Sequence, residues 1–251
     1  MNEKGAPHSK AIRLDRFLHE QGLGTRKQLK KWIRGGRVQV EAETRTDPAF
    51  PVSPGCQEVQ FDGNPLLPLA DITVMLFKPA GFVCSRASEG PHSPVFELFP
   101  PLYQSKLEIA GRLDADTTGL LLLSSDGALV HRIISPRKCV EKRYQATVIP
   151  FPFNRVQEFF QGIVLHPDEH LRPIRSFQLF PVSSDLWQVE IGIEEGKYHQ
   201  VKRMFAHVGS HVVSLHRLQV GGLALDPELS PGEWRVCEPG EIERIFLPAD
   251  V

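Results

Sequence analysis

The spacing of apolar and polar positions changes from segment to segment along the chain, and each spacing predicts a different element. An apolar run, or an apolar residue at every second position, predicts a strand, whereas apolar residues three and four positions apart predict a helix. By these rules strands are predicted at residues 72–77, 120–123, 144–149 and 186–193, and helices at 126–134, 154–161 and 198–208. Strands and helices that interleave irregularly favour an α+β fold rather than a doubly wound α/β fold.

Residues 110–127 hold the most informative pattern of the chain, AGRLDADTTGLLLLSSDG. The apolar run at 120–123 lies between Gly119 and a Ser-Ser-Asp-Gly cluster, which predicts a strand buried on both faces. Asp114 therefore lies on a loop joined to a buried strand, where a carboxylate is held in one orientation. Taken alone, Asp114 and Asp116 also fit an ordinary Asp-rich turn.

The N-terminal part of the chain combines helical spacing with many basic residues. Apolar positions predict a first short helix over residues 12–18, and the pattern at 37–40 predicts a strand. Between them, Thr25 and Gln28 have the spacing of a capping box, which predicts a second helix that ends at Gly35. One face of this helix is basic and the opposite face is apolar. The basic face holds Lys27, Lys30, Lys31 and Arg34, and the apolar face holds Leu29, Trp32 and Ile33.

The basic face of the second helix has no acidic partner, because no Asp or Glu occurs from position 21 to position 40. Such a stripe is usually a solvated surface, but its spacing also suits contact with successive phosphates. Residues 10–40 contain nine Lys or Arg and two acidic residues, a balance of +7; the whole chain carries −1, so the remainder carries −8. This asymmetry indicates a nucleic-acid-binding module attached to a larger domain.

The composition limits the class of protein. With 251 residues, 41% hydrophobic and 24% charged, the chain resembles ordinary soluble globular proteins of one or two domains. No apolar stretch approaches the roughly 18 residues of a membrane span. The first ten residues also lack the apolar core of a signal peptide. We therefore expect a cytoplasmic protein with no membrane partner.

Metal sites, disulfides and nucleotide cofactors are not indicated. The four cysteines lie far apart without a CxxC pair, which suits a reducing compartment. The histidines of the C-terminal half lack carboxylate or cysteine neighbours with metal-ligand spacing. No Gly-rich nucleotide-binding motif occurs either, so we expect no metal and no cofactor. The residues considered are Cys56, Cys84, Cys139 and Cys237, and His199, His207, His211 and His216.

Residues 12–61 resemble an S4 domain, a module of ribosomal proteins and RNA-modifying enzymes, in their order of helix, turn, helix and strand. The resemblance implies a small α/β domain that binds structured RNA by shape and phosphate contacts. The turn-rich residues 62–65 mark its end. We expect a flexible N-terminus at 1–11, the S4-like domain at 12–62, a linker at 63–71 and a catalytic domain at 72–251.

Short motifs of the larger domain resemble those of the RsuA-type pseudouridine synthases, a branch that modifies ribosomal RNA. They are Lys78-Pro79, the string AGRLDADTTG at 110–119, the string EKRY that ends at Tyr144, and EGKYHQVKRMF at 195–205. The resemblance covers nearly the whole chain and is greatest to small-subunit members. It implies a mixed, mainly antiparallel sheet in the catalytic domain.

The resemblance also implies a role for each motif residue. Asp114 matches the catalytic aspartate, Lys202 the basic residue that pairs with it, and Tyr144 the tyrosine that stacks on the target base. Apart from the resemblance, Arg203 projects about 100° away from Lys202 on a helix and would contact phosphate. Arg112, two residues before Asp114, would fill the gap left by a flipped base. The reaction moves the base from an N1–C1′ to a C5–C1′ bond, so one carboxylate suffices, as nucleophile or as stabiliser of positive charge at C1′.

The same residues have plainer interpretations when each is taken alone. Lys202 and Arg203 fit the surface of an amphipathic helix, and Tyr144 fits packing at the start of a strand. Paired aspartates also occur in glycosidases, although nothing else in the chain indicates a sugar-binding cleft. Asp116 is assigned to loop structure or an RNA contact, and Lys78 to structure.

The sequence therefore predicts a monomeric pseudouridine synthase that isomerises one uridine of 16S ribosomal RNA without a cofactor, in a partly assembled small-subunit particle. One alternative is a target in large-subunit RNA. The other is an RNA-binding or assembly factor that has the fold but no activity. The joint presence of Asp114, Tyr144 and Lys202 favours the enzyme.

Overall fold

The structure, a computed structural model, describes residues 11–53, 57–66 and 72–249. The expected flexible N-terminus, except its last residue, and residues 67–71 of the expected linker lie outside the described residues, as does Cys56. The described chain divides into two compact units. The first contains the residues up to 66 together with 101–106, and the second contains 72–100 and 107–249.

The first unit packs two helices against short strands. Its elements are β1 (Ile12–Arg13), α1 (Leu14–Glu20), α2 (Arg26–Arg34), β2 (Val38–Val40), β3 (Glu43–Thr44), β4 (Pro51–Val52), β5 (Val59–Phe61) and β6 (Asn64–Leu66), with the short helix α3 (Pro101–Gln104). Strands β3, β2, β5 and β6 form an antiparallel sheet in that order, and β1 pairs with β4. The first helix begins two residues later than predicted, because Ile12 and Arg13 pair with β4.

The second predicted helix of this unit is confirmed. The hydroxyl of Thr25 accepts the backbone N–H of Gln28, and the side chain of Gln28 accepts the N–H of Thr25, so the capping box is complete. Leu29 and Ile33 are fully buried, as the apolar face predicted. The apolar face therefore packs in the core of the unit and leaves the basic face in solvent.

The second unit is built on one large sheet. The strands of the whole unit are β7 (Thr73–Lys78), β8 (Phe82–Val83), β9 (Ser93–Pro94), β10 (Glu108–Ile109), β11 (Thr118–Ser124), β12 (Lys142–Ile149), β13 (Ile163–His166), β14 (Glu169–Leu171), β15 (Ser176–Pro181), β16 (Trp187–Ile193), β17 (His211–Val220), β18 (Leu223–Ala224) and β19 (Trp234–Val236). Its helices are α4 (Gly127–Ile134), α5 (Val156–Gln161), α6 (Gln200–His207) and α7 (Pro239–Arg244), with 3₁₀ turns at Val95–Leu98 and Phe153–Arg155.

The large sheet has the strand order β15-β16-β12-β17-β11-β7-β19, with β10 on β11 and β18 on β17. Its neighbours are antiparallel except for β11 and β17, which run parallel. This mixed, mainly antiparallel sheet with interspersed helices confirms the predicted α+β class. The parallel pair lies in the middle of the sheet, next to the loop that carries Asp114.

The four leucines at 120–123 are all fully buried, so the predicted strand with two buried faces is confirmed. Leu120 and Leu122 pack in one core cluster with Leu129 and Ile133 of α4. Asp126 caps α4, since its carboxylate accepts two backbone N–H groups of the first turn. The loop before β11 is therefore attached to a strand that is fixed by packing.

The other predicted elements of the second unit occur with small shifts. The segment predicted as a helix at 154–161 divides into a 3₁₀ turn and α5. The helix predicted from residue 198 begins at Gln200, because His199 has a left-handed backbone with φ of 47°. In the described residues, Cys84, Cys139 and Cys237 are free thiols. Within residues 11–53, 57–66 and 72–249, no helix is long and apolar enough to cross a membrane.

Candidate active site

A buried lysine holds the backbone of the loop that carries Asp114. The ammonium of Lys78 donates hydrogen bonds to the carbonyls of Pro79, Ala115 and Thr117, at 3.0, 3.3 and 2.8 Å. Lys78 is fully buried, and this burial lowers the pKa of its ammonium. Buried polar groups need hydrogen-bond partners, and here the backbone of the loop supplies them. The structure thus supports the structural role expected of Lys78.

A second buried cation fixes the two ends of the loop. Arg217, on β17, donates from Nε to the carbonyl of Leu120 at 2.7 Å and from Nη2 to the carbonyl of Gly111 at 3.2 Å. Arg217 lies opposite Gly119 in the parallel register of β11 and β17. The loop turns tightly between these anchors, with the N–H of Thr117 donating to the carbonyl of Asp114 at 3.1 Å. Its backbone is therefore held on both sides of the carboxylate.

The carboxylate of Asp114 faces two nitrogen-bearing side chains from the segment that starts α6. Lys202 Nζ lies 3.2 Å from Oδ2, and His199 Nε2 lies 3.4 Å from Oδ1. The Asp114 side chain is 25% exposed, so it is partly shielded and still open on one side. The structure brings Asp114 and Lys202 together, as the motifs predicted. Their catalytic roles remain predictions.

Lys202 also contacts Asp116, and this contact is the shorter one, 2.5 Å from Nζ to Oδ1. Burial raises the pKa of Asp116, but the hydrogen bond and charge of Lys202 outweigh burial and lower that pKa below its ordinary value. Burial lowers the pKa of Lys202, and the two carboxylates together raise it above the ordinary value. One lysine thus serves two carboxylates and stays protonated.

A cleft opens beside Asp114, and three of the predicted site residues, Arg112, Asp114 and Tyr144, line it. Tyr144, on β12, is 7% exposed in the wall of this cleft. Its pairing with β17 changes register between Arg143 and Tyr144, an irregularity that turns the local strand and re-aims side chains. The cleft is lined by Arg112, Leu113, Asp114, Thr117, Tyr144, Ile193, Gly196, Lys197, His199, Gln200, Val201 and Leu215.

The predicted RNA contacts lie in different settings. Arg112 is exposed and lines the cleft. Arg203 is engaged within the protein. Its guanidinium donates to both carboxylate oxygens of Glu169, and Nη1 also donates to the carbonyl of Tyr198 at 3.1 Å. Its phosphate contact stays a prediction. On α2 of the first unit, Lys27, Lys30, Lys31 and Arg34 are all exposed.

Sequence reasoning missed His199 as a neighbour of Asp114, having considered it only as a metal ligand. Its position follows from Gln200, which is buried and shapes the preceding loop. The amide of Gln200 accepts the N–H of Lys197 at 3.0 Å and donates to Glu195 at 2.8 Å. The sequence signal for these contacts was the run Tyr-His-Gln, which does not indicate what the side chains bind. In the described part of the chain, no group of three or more His, Cys, Asp or Glu side chains has a metal-binding arrangement.

A larger cavity, of about 450 Å³, lies elsewhere in the second unit and contains none of the predicted site residues. Three of its charged residues are engaged within the protein: Arg132 stacks on Phe246, and Arg175 pairs with Glu194. The cleft at Asp114 is smaller, but it combines a carboxylate, two nitrogen donors and a buried aromatic ring. This combination can stabilise positive charge or attack an electron-poor carbon next to a stacked base.

Comparison with known proteins identifies the family of this fold and site. Residues 72–207 match the family described as RNA pseudouridylate synthase, and residues 12–57 match the S4 domain. The chain belongs to the RNA pseudouridylate synthase family. It is therefore a pseudouridine synthase, an isomerase, with an N-terminal S4 domain, as the motifs predicted.

Relatives of this synthase match it along nearly their whole length. The ribosomal small subunit pseudouridine synthase A of Escherichia coli (strain K12) is 41% identical over 236 residues, which covers 93% of this chain and 100% of that protein. The protein of the same name from Yersinia pestis is 40% identical over 242 residues, 94% of this chain and 99% of that one. A crystal structure of a pseudouridylate synthase, 37% identical, superposes with a TM-score of 0.63 and covers 93% of this chain and 99% of that chain.

Proposed function

We propose that this synthase isomerises one uridine of 16S ribosomal RNA to pseudouridine, with Asp114 as the catalytic residue and without a cofactor. The observation that carries the proposal is the position of the Asp114 carboxylate, which is fixed by its loop and paired with Lys202 in a cleft walled by Tyr144. The protein acts as a cytoplasmic monomer on a partly assembled small-subunit particle.

The chemistry needs no redox partner, because the reaction is an isomerisation. The N1–C1′ bond breaks, the uracil rotates, a C5–C1′ bond forms, and C5 loses a proton while N1 gains one. Asp114 acts at C1′, as nucleophile or as stabiliser of positive charge. Lys202 pairs with the carboxylate and orients it, since its ammonium lies 3.2 Å from Oδ2.

The other cleft residues hold the flipped uridine. The base must leave the RNA stack before its C1′ and C5 atoms become accessible. Tyr144 stacks on the extruded base and lies close enough to assist removal of the C5 proton, and Arg112 fills the gap left in the helix. Both residues line the same cleft as Asp114, which supports this division of roles.

The S4 domain, assigned to residues 12–62 and followed by a linker at 63–71, binds the RNA by its phosphates. Its α2 helix presents four exposed cations on one face, at a spacing that follows successive phosphates. The catalytic domain at 72–251 holds the chemistry. The names of the full-length relatives, ribosomal small subunit pseudouridine synthase A, support the assignment to the small subunit.

Mapping of pseudouridine in ribosomal RNA tests the assignment. RNA from cells that contain or lack the protein is compared position by position, in 16S and in 23S RNA. We expect one 16S position to lose its modification and to regain it when the wild-type chain is restored. A lost position in 23S RNA would identify the large-subunit alternative, and no lost position would favour an RNA-binding factor without activity.

The Asp114→Asn variant tests the catalytic residue, because the amide keeps size and hydrogen bonding and removes the charge. We expect turnover below about one per cent of wild type, a loss of more than ~3 kcal/mol at the transition state, with RNA affinity nearly unchanged. Asp116→Asn is the matched control, since it removes the other carboxylate bound to Lys202. A loss in Asp116→Asn as large as in Asp114→Asn would reject the assignment.

Chelation tests independence from metal cofactors. Protein dialysed against EDTA and assayed on a short RNA that folds without divalent ions should keep full activity. Loss of activity that returns with one particular metal would contradict the cofactor-free mechanism.

A further inference from the structure

An exposed aromatic ring lies at the edge of the cleft that holds Asp114. Tyr198 is 76% exposed and stands in the chain between Lys197 and His199, which both line the cleft. A single exposed aromatic residue is ordinary on a protein surface. Tyr198 differs because its ring and its backbone are both fixed by neighbours of the site.

The ring of Tyr198 is stacked on one side only. It lies over the imidazole of His199, with ring centroids 3.8 Å apart and an angle of 21° between the planes. Nε2 of the same imidazole lies 3.4 Å from Oδ1 of Asp114. Two short contacts therefore connect the catalytic carboxylate to the tyrosine ring, whose opposite face is open to solvent.

The backbone at Tyr198 is held as firmly as its ring. Its carbonyl accepts a hydrogen bond from Arg203 Nη1 at 3.1 Å, and Glu169 binds the same guanidinium through both carboxylate oxygens. His199 has a left-handed backbone, which a residue with a side chain adopts only when its surroundings impose it. The stacked pair is thus pre-organised and loses little freedom on binding a planar ligand.

The surroundings of the ring suit RNA. Lys197, the residue before Tyr198, lines the cleft and donates from Nζ to the carbonyl of His170, and Arg112 lies in the same cleft and is exposed. Proteins that hold single-stranded RNA combine cations, which contact the backbone, with aromatic faces, on which bases stack. The exposed ring of Tyr198, next to a cleft that holds these two cations and two contacts away from the reacting carboxylate, has this combination.

We propose that the open face of Tyr198 is a stacking site for the nucleobase that directly adjoins the target uridine. This inference rests on the proposed function. When the uridine is turned out of the RNA into the cleft, the adjoining base loses a stacking partner. Arg112, in the gap, contacts one of the two neighbours of the extruded uridine, and the Tyr198 ring stacks on the other and holds the extruded conformation without contacting the reacting atoms.

Single-turnover kinetics with variants of Tyr198 test the site, on RNA that contains the mapped uridine. Tyr198→Ala should raise the KM for RNA by about 5- to 150-fold, the range for loss of one base–aromatic stack, and change the maximal rate by less than about twofold. Tyr198→Phe should recover most of the lost binding, because the ring remains. Phe180→Ala, which removes another exposed aromatic ring from the edge strand β15, is the matched control and should leave KM unchanged.

An RNA with an abasic nucleotide identifies the occupant of the site. Substrates are assembled by ligation with the abasic unit immediately 5′ or 3′ of the target uridine. On one of the two, wild type and Tyr198→Ala should have the same KM, because the base that stacks is missing. If the Tyr198→Ala effect stays full-sized on both substrates, or if KM does not rise at all, the proposal is wrong.

The remaining outcomes separate this inference from the proposed function. A fall in maximal rate together with a changed pH profile in Tyr198→Ala would mean that Tyr198 only supports His199 and Asp114. Equilibrium RNA binding is also measured in the Asp114→Asn background, where turnover is absent. An inactive wild type, or an active Asp114→Asn variant, would reject the proposed function. If Asp114→Asn is inactive and adding Tyr198→Ala to it leaves RNA binding unchanged, the stacking site alone is rejected.

Discussion

Gly119 and Arg217 approach so closely that no side chain fits between them. A Cβ at Gly119 would lie 2.3 Å from the carbonyl oxygen and 2.6 Å from the backbone nitrogen of Arg217. The φ angle of Gly119 is 106°, which residues with a Cβ rarely adopt. This approach joins β11 to β17 in parallel and places the Arg217 side chain under the loop that carries Asp114.

Gly119→Ala should therefore destabilise the protein by about 3 kcal/mol or more, because it adds a backbone collision to a strained φ. Gly209→Ala is the matched control: φ there is 82°, and nothing lies within 4 Å of the added Cβ. The control should cost only about 1 kcal/mol, the penalty for the left-handed backbone. Urea denaturation of both variants checks the difference, and equal losses would contradict the close approach.

The basic face of α2 should govern RNA affinity and not turnover. Neutral replacement of Lys27, Lys30, Lys31 and Arg34 removes four exposed cations, and each lost phosphate contact should reduce the salt-dependence slope by about 0.7 to 0.9. The maximal rate at saturating RNA should survive, since the cleft residues all belong to the second unit. RNA binding measured over a series of salt concentrations checks the slope.

Arg16→Gln is the control for this experiment, because it removes a cation of α1 that is already paired with Glu20, at 2.7 Å. Its effect on the slope should be smaller than the average effect of each residue on the α2 face. An unchanged slope in the fourfold variant would leave that face as ordinary solvated surface.

The parts of the fold that were predictable depend on neighbours in sequence. The buried run at 120–123 and the capping box at Thr25 are local patterns, and both occur as predicted. The pairing of Lys202 with Asp114 joins distant segments, and only the resemblance to known motifs predicted it. Sheet order and register were not predictable, since periodicity identifies strands and not their partners.

The contacts that shape the site were missed for the same reason. Arg217 reaches the carbonyl of Gly111 across 106 positions, and Arg203 reaches Glu169 across 34. Neither pairing has a sequence signature, because any carbonyl or carboxylate can accept from a guanidinium. The assignment of Arg203 to phosphate came from its direction on the helix alone, without knowledge of Glu169.

Lys142 should make the stability of the protein depend on pH above neutrality. Burial and the charge of Arg217 lower its pKa to about 8. Between pH 8 and 10.5 the unfolded chain then binds more protons at this residue than the folded protein does, so the free energy of unfolding rises with pH across that interval. The rise should amount to about 3 kcal/mol.

Lys142→Met should lack this rise, so the difference in unfolding free energy between wild type and variant should change across pH 8 to 10.5 and stay constant below it. Urea denaturation at half-unit steps of pH measures the difference. Lys138→Met, at an exposed lysine of the preceding loop, is the control and should show no such change. A flat difference for Lys142→Met would mean that the ammonium is not held in a desolvated position.

Lys202 and Arg203 are adjacent in sequence, and their replacement should have different effects. Lys202→Met removes the cation 3.2 Å from the Asp114 carboxylate. The carboxylate then loses the charged partner that orients it, so the maximal rate should fall by about 10- to 150-fold, the equivalent of about 1.5 to 3 kcal/mol for a hydrogen bond to a charged group. The KM for RNA should stay close to wild type, and Lys202→Arg, which keeps the charge, should retain most of the rate.

Arg203→Met should instead raise the KM for RNA and leave the maximal rate nearly unchanged, because its guanidinium contacts Glu169 and the Tyr198 carbonyl and not Asp114. The two variants have the same size of side chain and the same loss of charge one position apart on α6, so each controls for the other. Single-turnover rates over a series of RNA concentrations separate them. A wild-type maximal rate in Lys202→Met, or a comparable loss of maximal rate in Arg203→Met, would show that the cation paired with Asp114 has been assigned to the wrong residue.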